Sequence, residues 1–131
     1  MATNRSRKGD RAPSERRHVG LTLPRRVKAG ATEAASVHDW SVGDWVLASA
    51  AEFGPALRER VGQVEVKKRP KVEDAAFAGL YLTPDERDEL DDQAVACGLN
   101  RSAFVTAVAR LGLGDDLEDV VASLTIGDGQ A

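Results

Sequence analysis

Cysteine, aromatic residues and long apolar runs are all scarce in this sequence. Cys97 is the single cysteine, which excludes an intramolecular disulfide and favours a reducing compartment. Aromatic residues make up 5% of the chain and hydrophobic residues 42%, so we expect a core of alanine, valine and leucine. No apolar run is long enough to span a bilayer, and none follows the first basic residues as in a secretory signal. We expect a cytoplasmic protein with no membrane partner.

Residue sets that support catalysis or metal binding are also missing from the sequence. It contains no Ser/His/Asp arrangement, no phosphate-binding loop and no pair of carboxylates at a useful spacing. His18, His38 and Cys97 are too scattered to predict a metal site. We therefore expect no enzymatic activity, no cofactor and no bound metal.

Charge is distributed unevenly along a chain whose formal net charge is -3. Residues 1–28 contain nine Lys/Arg and two acidic residues, and residues 54–71 form a second basic segment. Residues 72–131, in contrast, contain thirteen acidic residues and three arginines. Two basic segments on an acidic chain predict an anionic partner, although a basic tail can also serve solubility alone.

A strand followed by two helices is predicted in the first half of the chain. Val19, Leu21 and Leu23 alternate with polar or small residues, which is the period of a half-buried strand. Pro24 suits the first turn of a helix, and an alanine-rich helix is expected over 25–38.

The second helix of this half is predicted from its cap. Ser41 precedes Asp44 by three residues, in the arrangement of a helix N-cap with its partner at N3. We expect this helix to run over 42–53 and to end at the dipeptide Gly54-Pro55.

The same order of patterns returns in the second half. Leu80 and Leu82 alternate with small or polar neighbours, and Thr83 opens a helix that ends near Gly98. Asn100 is a suitable N-cap for a further helix.

A shift of 59 residues superposes the two halves without a gap. It places Gly20 on Gly79 and Leu21 on Leu80, and it matches residues of similar size through both helices. We interpret this agreement as an internal repeat.

Five segments follow from these patterns. The first contains no Val, Ile, Leu, Phe or Trp, so nothing in it can be buried. The last contains a short amphipathic helix, predicted between 115 and 126. The segments are a disordered basic arm (1–17), a first strand–helix–helix unit (18–53), a basic linker (54–76), a second such unit (77–114), and an acidic C-terminal helix and tail (115–131).

The segment Gly98-Leu99-Asn100-Arg101-Ser102-Ala103-Phe104-Val105 resembles the entry to the second helix in the ribbon-helix-helix (Arc/MetJ/CopG-like) superfamily. The resemblance covers 77–113 and, more weakly, 18–53. It implies a mostly α fold with a short two-stranded antiparallel ribbon, formed when two units pair their strands. One chain could supply both units as a tandem pseudo-dimer, in the layout of TraY-like conjugation proteins. Alternatively, each unit could pair with a second chain, and the linker permits either arrangement.

Major-groove DNA binding by the ribbon is what this resemblance implies. Side chains that face away from the core would read the bases, and the phase of the two strands selects them. These candidate base contacts are His18, Gly20, Thr22, Phe77, Gly79 and Tyr81. Thr22 and Tyr81 are the better candidates for hydrogen bonds, whereas Phe77 and Tyr81 could instead pack beneath the linker or arm.

Phosphate contacts are expected from the N-terminus of each second helix and from basic residues that flank the strands. The candidates are Arg16, Arg17, Arg25, Arg26, Lys28, Ser41, Val42, Gly43, Lys67, Lys68, Arg69, Asn100, Arg101 and Ser102. Asp39 and Asp44 would weaken the first helix N-terminus as a phosphate site.

The function expected from this resemblance is that of a bacterial transcriptional regulator which binds double-stranded DNA and self-associates on it. One alternative is an accessory factor of a relaxosome or of plasmid partition, with a relaxase as partner. Another, of a different class, is an antitoxin-like module whose acidic segment 115–126 binds a toxin.

Overall fold

Two strands and five helices make up the residues described by the structure, a computed structural model that covers 16–67, 70–72 and 74–126. The predicted class, mostly helical with a two-stranded antiparallel sheet, is confirmed. In chain order the elements are β1 (Arg17–Pro24), α1 (Arg25–Val37), α2 (Val42–Val61), β2 (Ala75–Leu82), α3 (Pro84–Ala96), α4 (Arg101–Gly112) and α5 (Leu117–Leu124).

The strands β1 and β2 pair antiparallel within the chain, with Gly20 opposite Gly79 at the middle of the register. One face of this ribbon is buried, as the alternating sequence pattern predicts. Its buried side chains are Val19, Leu21, Leu23, Ala78, Leu80 and Leu82. Because both strands contribute to one apolar surface, the two halves of the chain share a core.

Helices α2 and α4 cover the buried face of the ribbon and pack against each other at the centre of the fold. Val46 on α2 and Phe104 on α4 are fully buried. Trp45 is buried, whereas Trp40 lies at the edge of the core and stacks on His38. Cys97 is buried within the core and is a free thiol.

Helix α2 is longer than the sequence suggested. We expected the Gly54-Pro55 dipeptide to end it, and this was wrong, because Pro55 lies inside a helix that continues to Val61. Proline removes one helical hydrogen bond and crowds the preceding turn, at a cost of about 3 kcal/mol. Leu57 and Val61 are buried beyond it, and each contributes about 1.5–3 kcal/mol. Their burial is enough to offset the proline.

Side-chain caps begin four of the five helices. Ser41 and Asn100 accept hydrogen bonds from the backbone three residues later, as predicted for α2 and α4. Thr83 and Glu86 form a capping box at α3, and Asp116 caps α5. Helix α1, in contrast, follows Pro24 directly and has no side-chain cap.

The C-terminal part of the described chain closes the fold from the side of α2 and α4. The predicted amphipathic helix is confirmed as α5, whose Val120, Val121 and Leu124 are buried. Beyond it, Ile126 N–H donates to the carbonyl of Glu65 (2.8 Å), and Lys67 N–H donates to the carbonyl of Leu124 (2.8 Å). The linker and the C-terminal segment therefore hold each other in place.

Candidate nucleic-acid interface

The uncovered face of the ribbon carries all six positions predicted to contact bases. Phe77 and Tyr81 are 62% and 57% exposed, so no element of the described chain covers them. Thr22 is half-buried, and the other three positions are exposed. The predicted orientation of these side chains is confirmed, while their contact with bases stays a prediction. Across the ribbon His18 lies opposite Tyr81, Gly20 opposite Gly79, and Thr22 opposite Phe77.

Three aromatic rings form a cluster on this face. The rings of His18 and Phe77 stack with centroids 5.6 Å apart and an interplanar angle of 20°. The ring of Tyr81 meets His18 edge-on, with centroids 5.4 Å apart. Such offset and edge arrangements are favourable for aromatic pairs.

The two central glycines make room for this ring pair. A Cβ atom on Gly20 would lie 3.0 Å from Cε1 of Phe77, and one on Gly79 would meet the imidazole of His18. Each ring therefore lies diagonally across the strand pair, over the glycine of the opposite strand. The sequence alone does not show this role of the glycines. The signal that could have revealed their role is a large ring diagonal to each glycine in the register.

The N-termini of α2 and α4 lie beside the two strands. Ser102 Oγ, in the first turn of α4, accepts a hydrogen bond from the backbone N–H of Thr22 (3.0 Å). A Cβ atom on Gly43, in the first turn of α2, would lie 3.2 Å from the carbonyl oxygen of Tyr81. Helix α4 thus begins against β1, and α2 begins against β2. The structure brings both predicted phosphate positions, 41–43 and 100–102, to the edges of the ribbon.

Arg101 already has an acidic partner. Its Nε donates to Oδ1 of Asp91 (2.8 Å) and its Nη2 donates to Oδ2 (2.7 Å), a two-point contact between α4 and α3. These hydrogen bonds hold the pKa of the Asp91 carboxyl below its ordinary value. Nη1 points to the carbonyl of Gly20 at 3.5 Å. The guanidinium lies next to the ribbon, but Asp91 balances its charge.

Arg16 turns inward. Its Nη2 lies 3.8 Å from Oδ2 of Asp44, and the two side chains are only 12% and 0% exposed. We predicted Arg16 as a phosphate contact and Asp44 as a repulsive charge at the start of α2. Instead, the two charges face each other inside the protein. Sequence reasoning missed this pair because it treated the residues before β1 as solvated.

Basic side chains surround the start of α1. Arg25, Arg26 and Lys28 are exposed, and the first turn of α1 contains no acidic residue. Lys28 Nζ donates to the carbonyl of Phe77 (2.9 Å), and Arg25 pairs with Asp74 at 3.2 Å. This end of the ribbon is therefore cationic.

The remaining predicted phosphate contacts lie in different places. Arg17 is exposed at the start of β1, and Lys67 is exposed in the linker. Lys68 and Arg69 lie outside the described residues, as do 1–15 of the predicted basic arm.

Within the described ranges, no group of three or more His, Cys, Asp or Glu residues could hold a metal ion. Burial raises the pKa of the Cys97 thiol, which keeps it protonated. Among the helices of the described part, none is long and apolar enough to cross a membrane.

Comparisons with protein-family models, curated proteins and solved structures gave no match for this chain. Its function is therefore inferred from its own residues and fold.

Proposed function

We propose that this chain is a sequence-selective DNA-binding protein, most simply a bacterial transcriptional regulator, which inserts the β1–β2 ribbon into the major groove. One observation carries the proposal: the ribbon buries one face and exposes the other. A two-stranded ribbon has the width of the major groove, where each base pair presents a distinct set of donors, acceptors and methyl groups.

The register of the ribbon supports a tandem ribbon-helix-helix pseudo-dimer. Gly20 and Gly79, which lie 59 positions apart, pair with each other. On either side Val19 pairs with Leu80, and Leu21 pairs with Ala78. Residues at the same offset therefore exchange places about the central glycines, as a two-fold axis through that pair requires. In this proposal one chain supplies both halves of the DNA-binding unit.

Helix termini and charge support phosphate contacts at both edges of the ribbon. Free backbone N–H groups and the helix dipole favour an anion at the start of α2 and of α4. The exposed Arg25, Arg26 and Lys28 add positive charge at one end. Steep salt dependence is then expected, roughly 10³-fold or more between 50 and 200 mM salt if six or more cations meet phosphates.

The alternatives from the sequence are affected differently by the fold. A relaxosome or partition accessory factor would use the same DNA-binding surface, so it remains a variant of this proposal. An antitoxin-like module would instead need the C-terminal segment for a toxin. Val120, Val121 and Leu124 of that segment are buried in the protein itself. This burial favours DNA binding over the antitoxin-like role.

The test is fluorescence polarisation with duplexes selected from a random pool, compared with unselected duplexes at physiological salt. We expect a preference of about 10³-fold or more for the selected duplexes. Thr22→Ala should reduce this preference, and Arg26→Ala should weaken binding to all duplexes alike. Val95→Ala is the matched control, since Val95 is 75% exposed on α3, outside the ribbon. Equal affinity for both pools would contradict sequence-selective binding.

A further inference from the structure

The outward face of the ribbon differs between positions that a two-fold axis would make equivalent. His18 and Phe77 are 59 positions apart, as are Thr22 and Tyr81. His18 is polar and Phe77 is apolar. Thr22 and Tyr81 both carry a hydroxyl group, but their side chains differ in size. On the basis of the proposed function, we infer that the DNA target is not two-fold symmetric, and that Phe77 recognises the methyl group of a thymine near its centre.

The centre of the face is where Phe77 acts. Its ring lies over Gly20 and stacks on His18, which fixes the ring close to the middle of the ribbon. It is still 62% exposed, so one side of the ring remains available. Phenylalanine offers no hydrogen bond, and the apolar group of the major groove is the thymine methyl. His18 occupies the matching position in the other half and presents ring nitrogens to the adjacent base pairs instead.

The two ends of the face also differ in reach. Thr22 is short and half-buried, and its backbone N–H is held by Ser102. Tyr81 is 57% exposed and carries its hydroxyl at the far end of a ring. One end therefore presents a hydroxyl close to the backbone, and the other presents a hydroxyl well above it. A single base-pair sequence repeated in both half-sites cannot suit both.

Charge also differs between the two ends of the ribbon. At the Thr22 end, α1 begins with Arg25 and Arg26. At the Tyr81 end, α3 begins with Asp85 and Glu86. Arg17 is exposed at this end as well, in register with Leu82. The two ends therefore surround phosphates with different sets of charges, while the side chains that face the bases set the orientation of the DNA.

The experiment starts from the duplex selected in the polarisation assay. Each thymine of that duplex is replaced in turn by deoxyuridine, which removes only the 5-methyl group. We expect an enriched sequence without two-fold symmetry and about a fourfold loss of affinity at one or two central thymines. Phe77→Ala should bind thymine and deoxyuridine duplexes equally, whereas the control Val95→Ala should keep the fourfold difference. Because Phe77 is exposed, its substitution should leave the fold intact, which circular dichroism checks.

Each other outcome overturns a definite statement. A two-fold symmetric selected site, or equal affinity for thymine and deoxyuridine at every position, removes this inference and leaves the proposed function standing. A thymine preference that persists in Phe77→Ala shows that another residue recognises the methyl group. If no sequence is enriched at all, the proposed function falls and this inference falls with it.

Discussion

The two strand–helix–helix segments, β1–α1–α2 and β2–α3–α4, meet the same structural requirement with different surfaces. Leu21 and Leu80 are 59 positions apart, and both lie on the buried face of the ribbon. Trp45 and Phe104 are related in the same way, and both lie in the core. At these positions the interior of the two segments is equivalent in character. The exposed positions are not, so the fold constrains the interior far more than the face that a partner would meet.

The first turns of α1 and α3 illustrate this difference. Helix α3 begins with a capping box between Thr83 and Glu86 and with acidic residues that suit its dipole. Helix α1 has no cap, and Arg25 and Arg26 stand there against the dipole. The second segment is built for helix stability at this point, while the first gives up that stability and gains a cationic surface.

The starts of α2 and α4 differ in their interior. Asp44 is buried in α2 and faces Arg16, whereas the position 59 residues later is Ala103, which is also buried. On α4, Arg101 pairs with Asp91, and the corresponding residues of the first segment are Val42 and Thr32. Each segment therefore has an ion pair at this place that the other lacks.

The largest effect is expected where the segments are most alike. Leu21→Ala and Leu80→Ala should each lower the free energy of unfolding by about 2–5 kcal/mol, because each leaves a cavity in the shared core. Urea denaturation should be followed by tryptophan fluorescence and by far-ultraviolet circular dichroism. Trp40 and Trp45 both belong to the first segment, so fluorescence reports on that segment alone.

Coincidence of the two signals is the decisive result. With a shared core, Leu80→Ala must shift the fluorescence transition even though its site lies in the second segment. If the midpoint of the fluorescence transition is unchanged in Leu80→Ala while the circular dichroism curve shows two transitions, the segments are independent units. The exposed Val37, 77% accessible on α1, provides the control substitution Val37→Ala, which should change little.

The next effect concerns the ion pair of the first segment. Asp44→Ala should lower the free energy of unfolding by about 3 kcal/mol, because it leaves the Arg16 guanidinium buried without this carboxylate. The variant places alanine at position 44, the same residue type as Ala103 at the corresponding position of the second segment. In the double variant with Arg16→Ala the loss should be smaller than the sum of the single losses, as a double-mutant cycle would measure. Additive losses would mean that the two side chains do not interact.

A smaller effect is expected from making the α3 surface resemble that of α1. Asp85→Arg places a cation 59 positions after Arg26. Affinity for DNA should rise severalfold, and the slope of log K against log salt should steepen by about 0.9 for one new phosphate contact. Arg26→Ala should make the slope shallower by a similar amount.

The matched control for this charge change is Asp119→Arg. Asp119 is exposed in the first turn of α5, so the variant has the same net charge and the same kind of helix position away from the ribbon. An equal increase in affinity for both variants would indicate a general charge effect with no role for the ends of the ribbon.

The smallest effect concerns the ion pair of the second segment. The folded-state pKa of Asp91 is lowered by Arg101, so this pair contributes stability above the ordinary carboxyl value of 3.8 and loses it as the pH falls through the folded value. Asp91→Asn should therefore cost less than about 1 kcal/mol at pH 7, since the pair is partly exposed. Thermal unfolding of the wild-type protein and of Asp91→Asn between pH 7 and pH 2 measures this loss. If the difference between their melting temperatures does not become smaller below pH 4, the assignment is contradicted.

Much of the fold could be predicted from local patterns. The alternation of Val19, Leu21 and Leu23 identified the strand, its buried face and hence the exposed side chains. Capping residues such as Ser41 and Asn100 located helix starts, because a cap is decided by residues adjacent in sequence. The class of the fold and the members of the exposed face depend on such local signals.

What could not be predicted depends on contacts between distant residues. The continuation of α2 past Pro55 depends on buried space for Leu57 and Val61, which other elements provide. The pairing of Arg16 with Asp44, and of Arg101 with Asp91, requires knowing which helices are neighbours. Similarly, the pairing of β1 with β2 in one chain could not be chosen over pairing between chains, since the linker permits both.

The separation of the paired strands has a consequence for synthesis of the protein. About 50 residues lie between Pro24 at the end of β1 and Ala75 at the start of β2. At ribosomal rates of about 5–20 residues per second, β1 waits roughly 3–10 s for its partner. During this time its backbone N–H and C=O groups are unpaired and its apolar side chains are uncovered. A neighbouring nascent chain could pair with this strand. Crowded polysomes would thus favour exchanged dimers, and dilute translation would favour the monomer.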